Sequence, residues 1–265
     1  MYLSEINIYP IKSLKGISLE SAVVEQRGLQ FDRRWMIVEP DGTFMTQREF
    51  PVMATIETSV TGGTLRVSKG DTLDIPYVPD SGEHLPVTIW RDVDVPALAY
   101  NGVVSEWFSE KLGTPCRLVV MPADTNRFIP KEYAVRPYDT VSFADGYPFL
   151  LIGEGSLADL NSRLASPVPM NRFRPNFVIQ GSEPFEEDVW KRIRIGSTEF
   201  HVVKPCARCV IPSVDQTTGE KTGKEPLRTL SEYRNRNGGV MFGQNLIAET
   251  PGGTIRAGDD VVVLE

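Results

Sequence analysis

The feature that most constrains this chain is how often Gly and Pro cut its apolar runs short: 22 Gly and 20 Pro are spread over 265 residues. Leu3-Ser4-Glu5-Ile6-Asn7-Ile8-Tyr9 alternates in polarity with period two, the pattern of a half-buried strand. Arg34-Trp35-Met36-Ile37-Val38 is rich in strand formers, and Asp41-Gly42 predicts a turn into Thr43-Phe44-Met45-Thr46. Gly62-Gly63 separates Ala54 to Val60 from Thr64-Leu65-Arg66-Val67, and Pro76, Pro79 and Pro86 punctuate the approach to Val87-Thr88-Ile89-Trp90. Such a chain builds antiparallel sheet from short strands.

Helical spacing is sparse. Val103, Val104, Trp107, Phe108 and Leu112 fall on one helical face before Gly113 and Pro115 end the pattern, and Cys116 to Val120 then reads as a strand. Residues 122–139 carry Pro, Arg and Asp without periodicity, which suits a linker or a long functional loop. A boundary near 120–135 gives two expected domains, 1–120 and 121–265. In the second, Pro148 to Ile152 reads as a buried strand, followed by a helix with Ser156 as N-cap and Leu157, Leu160 and Leu164 on one face. Phe177-Val178-Ile179, Arg192 to Ile195, Glu199 to Val203 and Thr254 to Leu264 read as strands, and Pro226 to Tyr233 as a short helix. The expected class is α+β and β-dominated, with a few helices, not a doubly wound sheet.

The net charge of −7 argues against a general binder of nucleic-acid polymers or of anionic membranes. No run reaches the roughly 18–20 apolar residues of a membrane span, and the opening segment lacks the basic-then-apolar order of a leader, so a cytoplasmic location is expected. Three cysteines make a disulfide framework a poor expectation.

Gly153-Glu154-Gly155-Ser156-Leu157-Ala158 matches G-x-G-x-x-A formally. The acidic residue expected about twenty positions later is replaced by Arg172-Phe173-Arg174, so a tight strand-to-helix turn is the better reading. Cys206-Ala207-Arg208-Cys209 leaves several uses open. Redox exchange would need a following helix, but Val210-Ile211-Pro212 follows. Zinc would have to draw on His201, Cys206, Cys209 and distant Cys116. The pair could be buried and inert, or one sulfur could be a reactive or metal-ligating thiolate favoured by Lys204 and Arg208. Cationic clusters at Lys12 to Gly16, Asp32 to Trp35, Thr46-Gln47-Arg48 and Asn171 to Asn176 are solvated surface or the wall of an anion pocket.

Taken together, Tyr9-Pro10-Ile11-Lys12-Ser13-Leu14-Lys15-Gly16, Asp32-Arg33-Arg34-Trp35, Asn171 to Asn176 and Lys204-Pro205-Cys206-Ala207-Arg208-Cys209 resemble the MOSC proteins in order and spacing. Ser213-Val214-Asp215 and Thr218-Gly219-Glu220 extend the likeness, which spans nearly the whole chain. The branch resembled contains the mitochondrial amidoxime-reducing component and its bacterial relatives.

The resemblance implies a MOSC N-terminal β-barrel-like domain followed by a MOSC β-barrel domain. It also implies a molybdenum cofactor (Mo-molybdopterin) whose metal is ligated by Cys209. Matching cofactor contacts are Lys12, Ser13, Arg33, Gly146, Tyr147, Arg174, Ala207, Arg208 and Asn245, with Gly146, Tyr147, Ala207 and Asn245 contributing mainly backbone. Asp215 is a candidate catalytic residue that orients the cysteine loop or relays protons, or else a turn residue. The implied activity is reduction of small N-hydroxylated compounds to amines or amidines plus water. A fused plant-type ferredoxin would need four further cysteines, so a separate electron-donor protein is expected. The alternatives are a sulfur carrier or cofactor-delivery protein with a persulfide on Cys209, or a binding protein without turnover. A family-level association with pyridoxal phosphate is a further expectation.

Overall fold

The computed structural model describes residues 1–80 and 82–265. Its largest element is a nine-stranded sheet. In spatial order it runs Val261–Val263, Arg192–Ile195, Thr198–Ala207, Gly239–Ala248, Phe149–Gly153, Phe177–Gln180, Tyr2–Ile8 and Ile17–Leu19, with Asn235–Arg236 paired onto Gly239–Ala248. The chain's first strand thus lies inside a sheet built mostly by its second half. Ile6 and Ile8, two apart, are fully buried on one face, and a register shift between Leu3 and Glu5 brings fully buried Leu3 into the same core. They join a core with Phe149, Phe177 and Phe200, whose rings meet at centroid distances of 5.3 to 5.5 Å.

The expected closed barrel does not form. The end strands, Val261–Val263 and Ile17–Leu19, have three residues each and do not pair with one another. A bridge between Tyr2 and Asp260 and a bond from Leu3 N to Asp259 O draw the rims together without a closing ladder.

A second body packs a four-stranded sheet (Trp35–Val38, Arg117–Val120, Asp92–Ala99, Glu83–Ile89) beside a meander of Glu57–Thr61, Thr64–Lys69 and Asp71–Pro76. Gly62 and Gly63 turn the meander with φ of +56° and +86°, the left-handed pair that a two-residue hairpin requires. Helix α1 (Val103–Leu112) buries Trp107, Phe108 and Leu112, as its spacing predicts, and stops at Gly113 with φ +69°. Two strand expectations shift here. Residues 43–46 make only isolated bridges, at Phe44 and Thr43, and Pro51–Thr55 is a 3-10 turn that precedes the Glu57–Thr61 strand.

Among the described residues, one pair in the large sheet is parallel: Phe149–Gly153 with Phe177–Gln180, connected through helix α2 (Glu154–Arg163). The N-cap is Gly153, not Ser156. Ser156 Oγ instead donates to the fully buried Glu187 carboxylate and accepts from Phe185 N, while Gly153 N donates to Glu187 Oε1 at 3.2 Å. Burial pushes the Glu187 carboxyl up, opposed by these bonds. Gly155 is required by a close approach, since a Cβ there would sit 2.5 Å from Ser182 O. The G-x-G-x-x-A match is therefore a packing device, and the turn that would hold a phosphate is filled by Glu187. Helix α3 (Leu227–Tyr233) completes the set.

Residues 122–139 form an ordered loop. Arg127, 5% exposed, donates to Asp92 at 2.7 Å, to Ser142 O at 2.8 Å and also to Ala144 O, fixing the 142–145 segment from behind. Among the described residues no helix is long and apolar enough to cross a membrane.

Phe177→Ala is expected to lower unfolding stability by about 3–5 kcal/mol through a cavity between Phe149 and Phe200. Urea denaturation measures it, and a loss below about 1 kcal/mol would contradict this view of the core.

Candidate functional site

Six separated segments converge on one cleft. The loop after the first strand supplies Lys12 and Ser13, the turn at 32–34 supplies Arg33, and the segment before Phe177 supplies Arg172, Arg174 and Asn176. The end of the Thr198–Ala207 strand supplies Cys206 to Cys209, and Asp145 to Tyr147 form the opposite wall with Asn245. Ser13, Arg33 and Arg174 have φ of +69°, +47° and +55°. Left-handed backbone at non-glycine residues costs of order 1 kcal/mol each, so the surrounding contacts must hold them.

Those contacts begin at Asp32, which is fully buried. It accepts from Tyr9 N at 2.8 Å and from Arg33 Nη1 at 2.7 Å. Arg33 also donates to Asn176 Oδ1 at 3.2 Å and to Arg174 O at 3.3 Å. The Arg33 and Arg174 guanidinium carbons lie 4.3 and 4.1 Å from the Tyr9 ring centroid. Burial pushes the Tyr9 phenol up to about 12, so it stays neutral, and burial pushes the Arg174 guanidinium down to about 10, so it stays charged near neutral pH. Arg174 Nη1 donates to Gln216, which is paired with Gln47, and Gln47 donates to Ser13 O at 2.7 Å.

Lys12 is 5% exposed and donates to Phe143 O at 2.8 Å and Asp145 Oδ1 at 2.5 Å. Burial pulls its ammonium down to about 8, with Asp145 opposing. On Asp145, burial acts to raise the carboxyl, but Lys12, Arg48 and the Trp90 indole N–H outweigh it and hold the group well below the usual carboxylate range. The acid is therefore a permanent anion, and Lys12 is the member of the pair that titrates near neutrality.

The cysteine segment leaves the strand at Ala207 and turns into a 3-10 turn at Ile211–Ser213, where Pro212 stops any helix. All three cysteines are free. Arg208 N donates to Val240 O at 2.8 Å, Nη2 to Phe173 O at 2.8 Å and Nη1 to Cys206 Sγ at 3.3 Å. Burial pushes the Cys206 thiol up, with Arg208 opposing. The expectation that Lys204 and Arg208 together steady a thiolate is only half met. Lys204 Nζ sits 4.1 Å from the Tyr133 ring centroid, and the Arg208 bond goes to Cys206. The zinc alternative finds no support, because His201 pairs with Glu249, Cys116 is buried near Ser109, and no group of three His, Cys, Asp or Glu is assembled among the described residues.

Lys12, Ser13, Arg33, Gly146, Tyr147, Arg174, Ala207, Arg208, Cys209 and Asn245 all line this one cleft. Asp215 lies outside its lining. It accepts from Arg172 Nη2 at 2.7 Å and from the backbone of Thr217 and Thr218, bonds that hold its carboxyl low, the backbone donors contributing most. It therefore anchors Arg172, which also donates to Pro212 O at 3.3 Å. Sequence reasoning missed Asp145, buried Arg127 and the Gln47–Gln216 pair. Asp145 does stand beside Gly146-Tyr147, but nothing in its neighbours announces a lysine partner 133 positions away.

Several buried donors in this wall lack partners: Arg174 Nη2, Arg172 Nε, Arg208 Nε and the Tyr147 hydroxyl. A Cβ at Gly146 would meet nothing within 4 Å. Unsatisfied guanidinium edges around an open wall are the complement of an anionic ligand.

Residues 1–115 match the MOSC N-terminal beta barrel domain, and residues 138–262 match the MOSC domain. The chain belongs to the MOSC family. It is 33% identical over 99% of its length to human mitochondrial amidoxime-reducing component 1, covering 82% of that protein, and 35% identical to the mouse counterpart over the same shares. It is also 34% identical over 92% of its length to rice molybdenum cofactor sulfurase, of which it matches 32%. None of these three descriptions names pyridoxal phosphate, and Lys12 inside the cleft is already engaged by Asp145. The family and its relatives tie this chain to molybdenum-cofactor-related function.

Asp145→Asn removes the anion that supports the Lys12 charge, so the Lys12 pKa is expected to fall below its value of about 8. Competitive acetylation across pH, read by mass spectrometry at Lys12, measures it. An unchanged titration would show that Asp145 does not control this lysine.

Proposed function

We propose that this protein is a molybdenum-cofactor-dependent reductase of N-hydroxylated compounds. The observation that carries the reading is Cys209 in a cleft whose arginines keep unspent, buried N–H groups. A soft thiolate suits a molybdenum ion already held by pterin sulfurs, and guanidinium forks suit a phosphate-bearing pterin. Cys209 would ligate the metal, and Arg174, Arg208, Arg33, Lys12 and Ser13 would hold the pterin and its phosphate. Gly146, Tyr147, Ala207 and Asn245 would flank it, largely through backbone. When bound, such a cofactor supplies two-electron exchange and a place for the substrate oxygen.

The chain's own residues account for the remaining requirements. The net reaction takes an N–OH compound, two electrons and two protons to the corresponding N–H compound and water. The electrons come from a separate donor protein. Lys12 Nζ, with a pKa near 8 and bonded to Asp145, holds a proton that can be given up near neutral pH. Asp215 acts through Arg172, holding the turn that follows Cys209. Tyr9, with both guanidinium carbons close to its ring, packs against Arg33 and Arg174 without neutralising them.

One observation favours a second reading. The similarity to a molybdenum cofactor sulfurase spans 92% of this chain, and that relative's name describes sulfur chemistry. In that reading Cys209 carries a persulfide.

Protein from a molybdenum-competent host is expected to contain near-stoichiometric molybdenum and pterin, to lose both in Cys209→Ala, and to reduce an amidoxime with an artificial donor. Pterin-free protein with sulfane sulfur on Cys209 would overturn the reductase and leave the carrier. Arg174→Ala, which removes a buried charged donor, is expected to weaken cofactor retention by roughly 10–100-fold, measured as pterin released during dialysis.

A further inference from the structure

The cleft opens into a second cavity of about 490 Å³, shared along Asp145, Tyr147 and Cys206. That is room for a small organic molecule. The outer wall is unlike the cleft, being made largely by Trp90, Arg91, Phe128 and Lys204.

Two large rings stand in water here, Trp90 at 46% and Phe128 at 58% exposed. Trp90 is nonetheless fixed. Its Nε1 donates to Asp145 Oδ1 at 3.2 Å, the Arg48 guanidinium carbon lies 4.0 Å from its ring centroid, and the Phe44 ring packs against it at 5.1 Å. A ring fixed at its edge and still half exposed offers surface to a second flat ring. Phe128 is placed by a bridge to Thr140 in the loop that Arg127 pins.

The charges of the vestibule are unevenly spent. Asp92 is paired with Arg127 at 2.7 Å and Asp145 with Lys12 at 2.5 Å, so both acids are satisfied. Among the described residues neither Arg91 nor Lys204 is in an ion pair. Lys204 Nζ lies against the faces of Tyr133 and Tyr147 at 4.1 and 5.8 Å. Glu132 is the nearby acid outside the cavity; burial chiefly pushes the Tyr147 phenol up, with Glu132 adding to it and Arg91 opposing. Two unpaired cations beside two exposed rings specify a ligand with both properties.

We propose that the vestibule selects flat aromatic N-hydroxylated substrates bearing an anionic group, with the ring against Trp90 and Phe128 and the anion facing Arg91 and Lys204. The assignment rests on the reductase reading and narrows its substrate class. Specificity resides in this outer wall, while the arginines of the inner cleft serve the cofactor.

The test compares 4-carboxybenzamidoxime, benzamidoxime and 4-(aminomethyl)benzamidoxime, with acetamidoxime as the small aliphatic control. Binding is measured by calorimetry, and kcat/KM on cofactor-loaded protein with a reduced viologen donor. The carboxylated compound is expected to lead the neutral one by roughly fivefold to tenfold and the cationic one to rank last. The double variant Arg91→Gln with Lys204→Gln should erase that order. Trp90→Ala should weaken the aromatic compounds by roughly fivefold relative to acetamidoxime, with circular dichroism confirming the fold. Equal affinity for the three aromatic compounds, an order that survives in the double variant, or no binding by any of them would overturn the proposal. If the order holds in calorimetry while no amidoxime is reduced, the reductase reading falls and the charge selection of the vestibule stands.

Discussion

Asp32 has no access to water, and its two oxygens are both committed, one to the backbone of Tyr9 and the other to the guanidinium of Arg33. Through Arg33 the same carboxylate reaches Asn176 and the carbonyl of Arg174, so it ties the chain's opening strand to a segment more than 140 positions away. A buried charge of this kind is stable only while its partners stay in place, and removing one partner of such a pair typically costs about 3–5 kcal/mol. The strained backbone at Ser13, Arg33 and Arg174 is held by this network and by the Gln47–Gln216 pair behind it. The cleft is therefore built before any ligand arrives.

A chain with a surplus of seven acidic charges nonetheless lines one cleft with a lysine and four arginines. The arrangement separates two tasks. Inside the cleft Arg172 and Arg174 are buried and Arg33 and Arg208 half-buried, and Arg172, Arg174 and Arg208 each keep an N–H unpartnered. Outside it, carboxylates neutralise what they can and leave two cations beside two exposed rings. Asp145 stands on the border, with Lys12 on the inner side and Trp90 on the outer.

Much of this was legible in the residues. Period-two alternation placed Ile6 and Ile8 in a core, and the glycine pair at 62–63 turned a hairpin, because both effects are local, whereas Leu3, out of phase, joins that core only through a register shift after it. The cationic clusters were visible as clusters, and the resemblance to the MOSC proteins supplied the idea that they meet. Their meeting itself was not readable from spacing, since it depends on pairing between residues 2–8 and 177–180 and on Asp32 being buried. A barrel was expected, but whether the two end strands meet depends on how the whole sheet curls, and here Ile17–Leu19 and Val261–Val263 pair only with their inner neighbours. Ser156 looked like a helix cap by its neighbours and became a ligand of Glu187, a partner 31 positions on. Asp145 and Arg127 were hidden for the same reason: each is defined by a distant partner.

The position of the first strand sets an order of events during synthesis. Tyr2–Ile8 is made well before its neighbour in the large sheet, Phe177–Gln180, which follows some 170 residues later. Until then the strand has only the short Ile17–Leu19 segment to pair with, and two-stranded ribbons are marginal in water. The Tyr9 to Ser13 loop follows directly from that strand, so the cationic wall stays scattered along the nascent chain until most of the protein exists. A partly made chain cannot trap a scarce ligand, and a truncated one cannot sequester it.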